Sequence, residues 1–532
     1  MPVTARSLAV PAVLGALALG SLADATPAAA ATGDIGYRDH SYAPLSGSPT
    51  GSKPESKLWF NNGWWASMFN PAAGEFRIYK LGATGAWSDI GVAIDPRNTS
   101  RADALWVPGS GKLYIASHHY ASSGAAAPAG DSARLYRYSY SAATGSYSLD
   151  AGFPVTINSA TSETLVIDRD STGRLWATWT QGSRVYVNHS AAGNDAAWGT
   201  PYVVPGPGTS LTSDDISSLI HFGGDKIGVM WSNQVDHQFY FSVHADGSGD
   251  AAWSTSAVPT GTSSDDHINL KTDSAGRVYA VVKTAASTGS PAGTPMILLL
   301  VRSTTGAWST SVVGTAADSN TRPIVLLDEQ HGLIHVFSTC PQPPKTSGQA
   351  GGDICEKTAS LGAPSFGPGS GTPVIREAGS PDMNDATSTK QNVSAATGIV
   401  VMANNATSNT YWHLQESLGG PGSGPGGGTT TPTPGAKRLN PRLRITLKRW
   451  HGSRLRVAGR LARAATGRLT VRYLVRLHGK RIRRHRSTKV NRGRFSVVLR
   501  PPRGARRHRA SLWAHYGGDR AYLPQTRRTR VR

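Results

Sequence analysis

The sequence predicts an all-β protein: a seven-bladed β-propeller, with six blades as the alternative, followed by a small, strongly basic β-sandwich. Three observations predict it. Residues 33–418 show almost no helical periodicity; short runs of alternating β-branched and aromatic residues lie between Gly, Asn, Asp and Ser turns. A turn-plus-strand unit recurs with starts at 63, 111, 173, 225, 276, 332 and 398. Composition then changes near residue 418, and the charge balance inverts beyond it.

Residues 1–31 read as an export signal. Arg6 supplies the positive start, Leu8 to Leu22 the apolar stretch, and Ala28-Ala29-Ala30 the small-residue cleavage site ahead of Ala31 or Thr32. A spanning helix needs about 20 apolar residues. This stretch is shorter and is interrupted by Pro11, Gly15 and Gly20. No later segment reads as transmembrane, so the mature protein is expected outside the cell, secreted or attached to the envelope.

The propeller is expected over 32–418. Its repeating unit is clearest in Gly111-Lys-Leu-Tyr-Ile-Ala, Gly173-Arg-Leu-Trp-Ala-Thr-Trp and Gly276-Arg-Val-Tyr-Ala-Val-Val. Each unit fits a four-stranded meander: an inner strand, the signature strand, a third strand, then a turn leading to an outer strand opened by tryptophan. That last element recurs as Thr84-Gly-Ala-Trp87, Asn194-Asp-Ala-Ala-Trp198, Gly249-Asp-Ala-Ala-Trp253 and Thr305-Gly-Ala-Trp308. One such sheet cannot bury both its faces, so the units are expected to stack radially. The last unit runs out after three strands, at Tyr411-Trp-His-Leu-Gln. The N-terminal segment Asp34 to Tyr42 is expected to supply its fourth and so remove an open sheet edge.

The turn-plus-Trp elements resemble degenerate aspartate boxes of sialidase-like (BNR-type) propellers. The runs Ile227-Gly-Val-Met-Trp-Ser-Asn-Gln234, Asp265-Asp-His-Ile-Asn-Leu-Lys271, Thr321-Arg-Pro-Ile-Val-Leu-Leu327 and Thr387-Ser-Thr-Lys-Gln-Asn-Val393 resemble signatures of a group of secreted bacterial propellers. This resemblance covers most of 55–415 and implies the fold, not an activity. Arg77, in Glu75-Phe-Arg-Ile-Tyr79, lacks the proline that follows the sialidase family's first arginine, and no arginine triad emerges. Sialidase activity is therefore not implied.

Ligands of a propeller are expected where the inner strands begin. Ten residues before the signatures at 173, 225, 276 and 332 stand Glu163, Asp215, Asp266 and Arg322, with Arg101, Asp103 and Asp385 nearby. Neighbouring loops are expected to add His118, His119, Tyr120, Trp179, Asp236, His237 and Lys283, while His267 and Lys271 share an inner strand. Two readings stand side by side. Such residues can bond the backbone of the adjacent blade and order channel water, or they can converge on a polar ligand, a glycan above all. If the site is catalytic, His118, His119, Tyr120, Asp266 and His267 are the candidates for acid–base work on a polysaccharide, by a lyase or a glycosidase. His118 and His119 are adjacent and point to opposite faces of a strand, and no metal or other cofactor is expected.

Cys340 and Cys355, the only cysteines, flank a Pro- and Gly-rich loop and are expected to form a disulfide. A loop of that size would stabilise the fold by about 3 kcal/mol in the chain-entropy model. The stretch 419–436, nearly all Gly, Pro, Thr and Ser, reads as a linker.

Residues 437–532 hold 31 Lys and Arg against one acid, Asp519; residues 1–436 hold 24 against 32, so the overall charge of +22 conceals two opposite parts. Leu443-Arg-Ile-Thr-Leu-Lys448, Leu469-Thr-Val-Arg-Tyr-Leu-Val475 and Phe495-Ser-Val-Val-Leu499 alternate with period two, packing one face and pointing Arg outward. The ending Tyr516-Gly-Gly-Asp-Arg-Ala-Tyr-Leu-Pro524 resembles the closing strands of bacterial Ig-like repeats, which implies an Ig-like sandwich. Its charge predicts adhesion to anionic envelope or matrix polymers, weakened by salt. No stacking-aromatic pattern for specific nucleic acid recognition is present. Three functions remain: extracellular recognition of a polar ligand, polysaccharide degradation, and a structural envelope role without a site.

Overall fold

The computed structural model describes residues 32–419 and 442–531, except 46, 52, 122–131, 343–350, 464–467, 478–479, 503–509 and 517–524. The expected export signal, most of the linker and the Gly-Asp turn near Asp519 lie outside the described residues.

The larger part is all strand and turn. Among its described residues, seven antiparallel sheets of four or five strands follow one another along the chain. Their first strands are Leu58–Phe60, Ser100–Val107, Leu165–Arg169, Ser217–Phe222, Ser264–Thr272, Thr321–Asp328 and Met383–Thr387. Each is followed by a signature strand, such as Lys112–His119 or Lys226–Asn233. The signature glycines are needed for their backbone: Gly111, Gly173, Gly276, Gly332 and Gly398 all have φ between 64° and 93°, a region costly for other residues.

The seventh sheet is completed from the other end of the chain. Tyr37–Ser41 pairs with Thr410–Glu416, Tyr37 opposite His413 and Arg38 opposite Trp412, as the orphan N-terminal segment led one to expect. The Asp39 side chain, almost wholly shielded, accepts from His413 Nδ1 at 2.8 Å. One tryptophan departs from expectation: Trp198 closes the short strand Asn194–Trp198 rather than opening it, and Tyr202–Val203 pairs separately with Arg184–Ala191. Trp87, Trp253 and Trp308 do open their outer strands.

The apolar residues sort into clusters between consecutive sheets. Val166, Trp176, Leu219 and Trp231 join the third to the fourth; Phe222, Met230, Ile268 and Leu298 join the fourth to the fifth. Tyr279, Leu299, Val325 and Ile334 join the fifth to the sixth. One cluster spans the sixth, seventh, first and second, from Phe337 and Met402 to Trp65 and Ile115. Inner strands are also stitched sideways: Asp168 Oδ2 accepts from His221 N at 2.8 Å, and Asn269 Oδ1 from Val325 N at 3.1 Å. Sheets that each bury their faces on two neighbours, the last on the first, are arranged as a β-propeller.

Cys340 and Cys355 form a disulfide. No helix among the described residues is long and apolar enough to cross a membrane.

The tail has its own core. A three-stranded sheet orders Arg444–His451, Arg454–Arg460 and Arg494–Leu499; a four-stranded sheet orders Lys480–Lys489, Arg468–Leu477, Ala510–Tyr516 and Gln525–Val531. Leu455, Val457, Val471, Tyr473, Phe495, Leu512 and Tyr516 are buried together. Burial alternates along Arg454–Arg460 and Arg494–Leu499. It fails along Arg444–His451, where a register shift between Ile445 and Leu447 leaves Leu447 exposed.

Candidate functional site

The charged mouth is built where the inner strands begin. Three of them break register at their first residues, at 264–268, 321–324 and 384–387. Such bulges re-aim side chains. Here they carry Asp265, Asp266 and His267, then Arg322, then Asp385. Arg322 and Asp385 both hold left-handed backbones at φ 52°, unusual for residues with a Cβ, and they pair at 3.0 Å.

A segment the pattern did not single out crosses this mouth. After Tyr37–Ser41 the chain must travel inward from the rim of the seventh sheet to the first strand of the first. On the way Ser48 Oγ donates to Asp385 Oδ2 at 2.6 Å, and Lys53 reaches both Glu163, at 2.8 Å, and Asp266. Lys53 is the only Lys or Arg between Arg38 and Lys57. A single cation in a crossover that carries no other charge from Ser41 to Pro54 was the one signal that could have found it.

The remaining candidates divide into two sets. Glu163, Asp266, His267, Arg322, Asp385, Arg101 and Tyr120 come together. Arg101 is buried; its guanidinium donates to Ser100 O at 2.9 Å and lies 5.2 Å from the centre of the Tyr120 ring. Burial depresses its pKa. Tyr120 keeps 37% of its surface exposed, and desolvation followed by the Glu163 charge holds its phenol protonated above the ordinary range. His267 is buried, and its pKa falls well below 6.5 through desolvation and the charges of Lys53 and Arg322. Its Nδ1 lies 2.6 Å from Asp266 Oδ1 at an angle that makes no hydrogen bond, and its Nε2 has no partner either. Lys283 pairs with Asp265, and burial lowers its pKa to about 8.

The second set points elsewhere. Asp103 is fully buried and accepts from Ser56 N and Ile167 N, both at 2.8 Å, while pairing with Lys390. Asp215, also fully buried, accepts from Thr212 N at 2.8 Å and Gln234 N at 3.1 Å. His118 sits inside the strand Lys112–His119, not in a loop, with Nε2 2.7 Å from Glu55 Oε1. His119 is half-buried against Thr99 Oγ1. Trp179 is in the core, stacked on Tyr186. Asp236 and His237 occupy an exposed turn, where Asp236 accepts from Asn233 and Tyr240, both at 3.0 Å. Lys271 is buried further down its strand.

Two groups of possible metal donors lie within 4.8 Å among the described residues: Asp265, Asp266 and His267, and Glu163, Asp214 and Asp266. In the second the Lys53 ammonium already supplies positive charge to two of the three carboxylates. A cavity of about 220 Å³ opens at the other end of the inner strands, lined by Trp59, Trp106, Asp168, Leu270, Lys390 and Gln391 among others.

Fold and mouth together define a β-propeller with a highly charged axial opening. No family model and no curated protein matches the chain. Among solved structures it is similar to a triple arginine-to-alanine mutant of AofleA from Arthrobotrys oligospora, at 10% identity over 62% of this chain and 87% of that one, TM-score 0.39. It is also similar to polysaccharide lyase Uly1, at 12% identity over 73% and 94%, TM-score 0.38. The periplasmic gluconolactonase PpgL of Pseudomonas aeruginosa matches at 11% identity over 72% and 96%, TM-score 0.38. Likenesses this loose assign no role to any residue here.

Proposed function

We propose that this chain is an exported, seven-bladed propeller that binds a polar, carboxylate-bearing glycan at its mouth. Its tail is an immunoglobulin-like sandwich that adheres to anionic envelope or matrix polymers. The succession of seven sheets supports the blade count. The tail's split into three and four strands, with the fifth strand joining the first two, supports the Greek-key sandwich.

One observation carries the glycan reading. Every other cation at the mouth meets a carboxylate: Lys53 with Glu163 and Asp266, Lys283 with Asp265, Arg322 with Asp385. Among the described residues Arg101 meets none, and donates to one carbonyl beneath an exposed aromatic ring. A buried charge is tolerated when paired, and a guanidinium takes a carboxylate through two parallel hydrogen bonds. Tyr120 would give a sugar ring its platform. Binding of polygalacturonate and of dextran to the full chain tests this. Polygalacturonate should bind at least tenfold tighter and lose that margin in Arg101→Met; equal binding of the two polymers, or a margin untouched by Arg101→Met, defeats the proposal.

A second reading, a polysaccharide-degrading enzyme, is favoured by His267. A neutral imidazole with an unengaged Nε2 is suited to take a proton. In β-elimination on a uronate it would remove the C5 proton as the C4–O4 bond breaks. Tyr120 would give its phenolic proton to the departing oxygen, leaving a C4=C5 double bond. Release of unsaturated uronate, abolished in His267→Gln with polymer binding retained, would establish this reading.

For the tail, the expected behaviour is retention of the full chain on heparin until salt is raised, with the retention lost when residues 437–532 are removed. Flow-through of the full chain at low salt would eliminate the adhesion role.

A further inference from the structure

Lys271, like Arg101 at the mouth, is a buried cation that pairs with no carboxylate among the described residues. It is 4% exposed, and among the described residues its amine donates only to Leu270 O, at 3.3 Å. The charged groups that face it are Lys390, Asp103 and Asp168. Neither carboxylate is turned to it. Asp103 is committed to Ser56 N, Ile167 N and Lys390, and Asp168 accepts from Arg169 N and His221 N, both at 2.8 Å.

Asp168 and Lys390 also line the cavity at the far end of the inner strands, as do Leu270 and Thr272, the residues on either side of Lys271. The cavity, at about 220 Å³, has the size for a small molecule. Much of its wall is apolar, with Trp59, Trp106 and Leu219 among the lining residues beside Lys390. A largely apolar chamber with Lys390 in its wall, the Lys271 ammonium behind that wall, and the wall's one carboxylate, Asp168, already held by Arg169 N and His221 N suits a ligand that is anionic at one end and apolar at the other.

We infer that this far-end cavity is a second binding site, independent of the mouth, for a small carboxylate with an apolar body. The carboxylate lies toward Lys271 and Lys390, and the body packs against Trp106. Burial holds the Lys271 amine at a pKa of about 7, so binding an anion draws a proton onto it.

The probe is benzoate, with benzyl alcohol as the neutral control of similar shape, titrated calorimetrically into the full chain. Benzoate should bind at one site, at least tenfold tighter than benzyl alcohol, and Lys271→Met should remove that margin. Equal binding of the two, binding of neither, or benzoate binding that survives Lys271→Met overturns the inference. Loss of benzoate binding in Arg101→Met overturns it too, by placing the anion at the mouth. Where Lys271→Met does not fold, pulse acetylation of the unaltered protein decides: benzoate should slow modification of Lys271 at least threefold, and an unchanged rate overturns the site.

Discussion

Lys53 Nζ lies 2.8 Å from Glu163 Oε1, joining the crossover before the first sheet to the loop before the third. The same ammonium meets Asp266 at the start of the fifth. One side chain therefore ties three separate parts of the ring across the channel mouth, with both carboxylates largely buried. Removing one partner of a buried ion pair is far more costly than never having built it, because the other charge is left uncompensated.

Lys53→Met should accordingly destabilise the propeller, by on the order of 3 kcal/mol. The triple variant with Glu163→Gln and Asp266→Asn should recover most of the loss. Urea unfolding of the three proteins measures both numbers. A triple variant as unstable as the single one would show that Lys53 acts by packing and not by charge.

His267 sets an expectation for acid. Its folded pKa is depressed below 6.5 by desolvation and by Lys53 and Arg322, against the opposing pull of Asp385 and Glu163. The unfolded chain therefore takes up the proton first, and stability falls as pH drops below 6.5. His267→Gln should flatten that decline between about pH 6.5 and 5 while leaving stability at pH 8 nearly unchanged. Unfolding curves across this range check it; parallel declines in both proteins would remove His267 as the cause.

Lys271 has the same sign in a different window. Burial lowers its amine from 10.5 to about 7, so without ligand the folded state is penalised progressively as pH falls from 10.5 to 7. Lys271→Met should stabilise the protein at pH 7 by on the order of 3 kcal/mol, with a smaller gain at pH 9.5. A gain independent of pH would mean that better packing, not the lost charge, is responsible.

The closing strand yields a prediction about association. Tyr37–Ser41 covers the outer edge of Thr410–Glu416, and an uncovered edge is a template for pairing with another chain. Deleting residues 34–42 should lower Tm and produce concentration-dependent light scattering. A deletion variant that remains monomeric with an unchanged Tm would show that the strand contributes nothing to closure.

The recurring signature strands were legible because their cause is local. Gly111 and Gly276 are demanded by left-handed turns, and alternation reports which side chains face inward whatever the partners are. The mouth was only half legible. Glu163 and Asp215 occupy equivalent places in the repeat, yet Asp215 finds Thr212 N and Gln234 N within reach and turns inward, whereas Glu163 faces Lys53. Nothing in the spacing separates them, because the difference lies in which donors the adjoining turn presents. Trp179 is placed near the mouth by its position in the repeat for a related reason: an aromatic ring in a signature strand packs on whatever its cross-strand partner offers, here Tyr186 opposite it in the next strand of the same sheet.

By itself the chain's order of residues dictated strands, turns, the opposite charges of its two parts and the need for an N-terminal strand to finish the last sheet. These follow from period-two burial and backbone geometry, which act over a few residues. Only the tertiary structure decided that Lys53 pairs with Glu163 and Asp266, that Arg101 meets no carboxylate among the described residues, and that Lys271 is buried beside the far-end cavity. Ring closure sets these distances. It brings residues far apart in sequence within a few ångströms, where desolvation makes the presence or absence of a partner decisive.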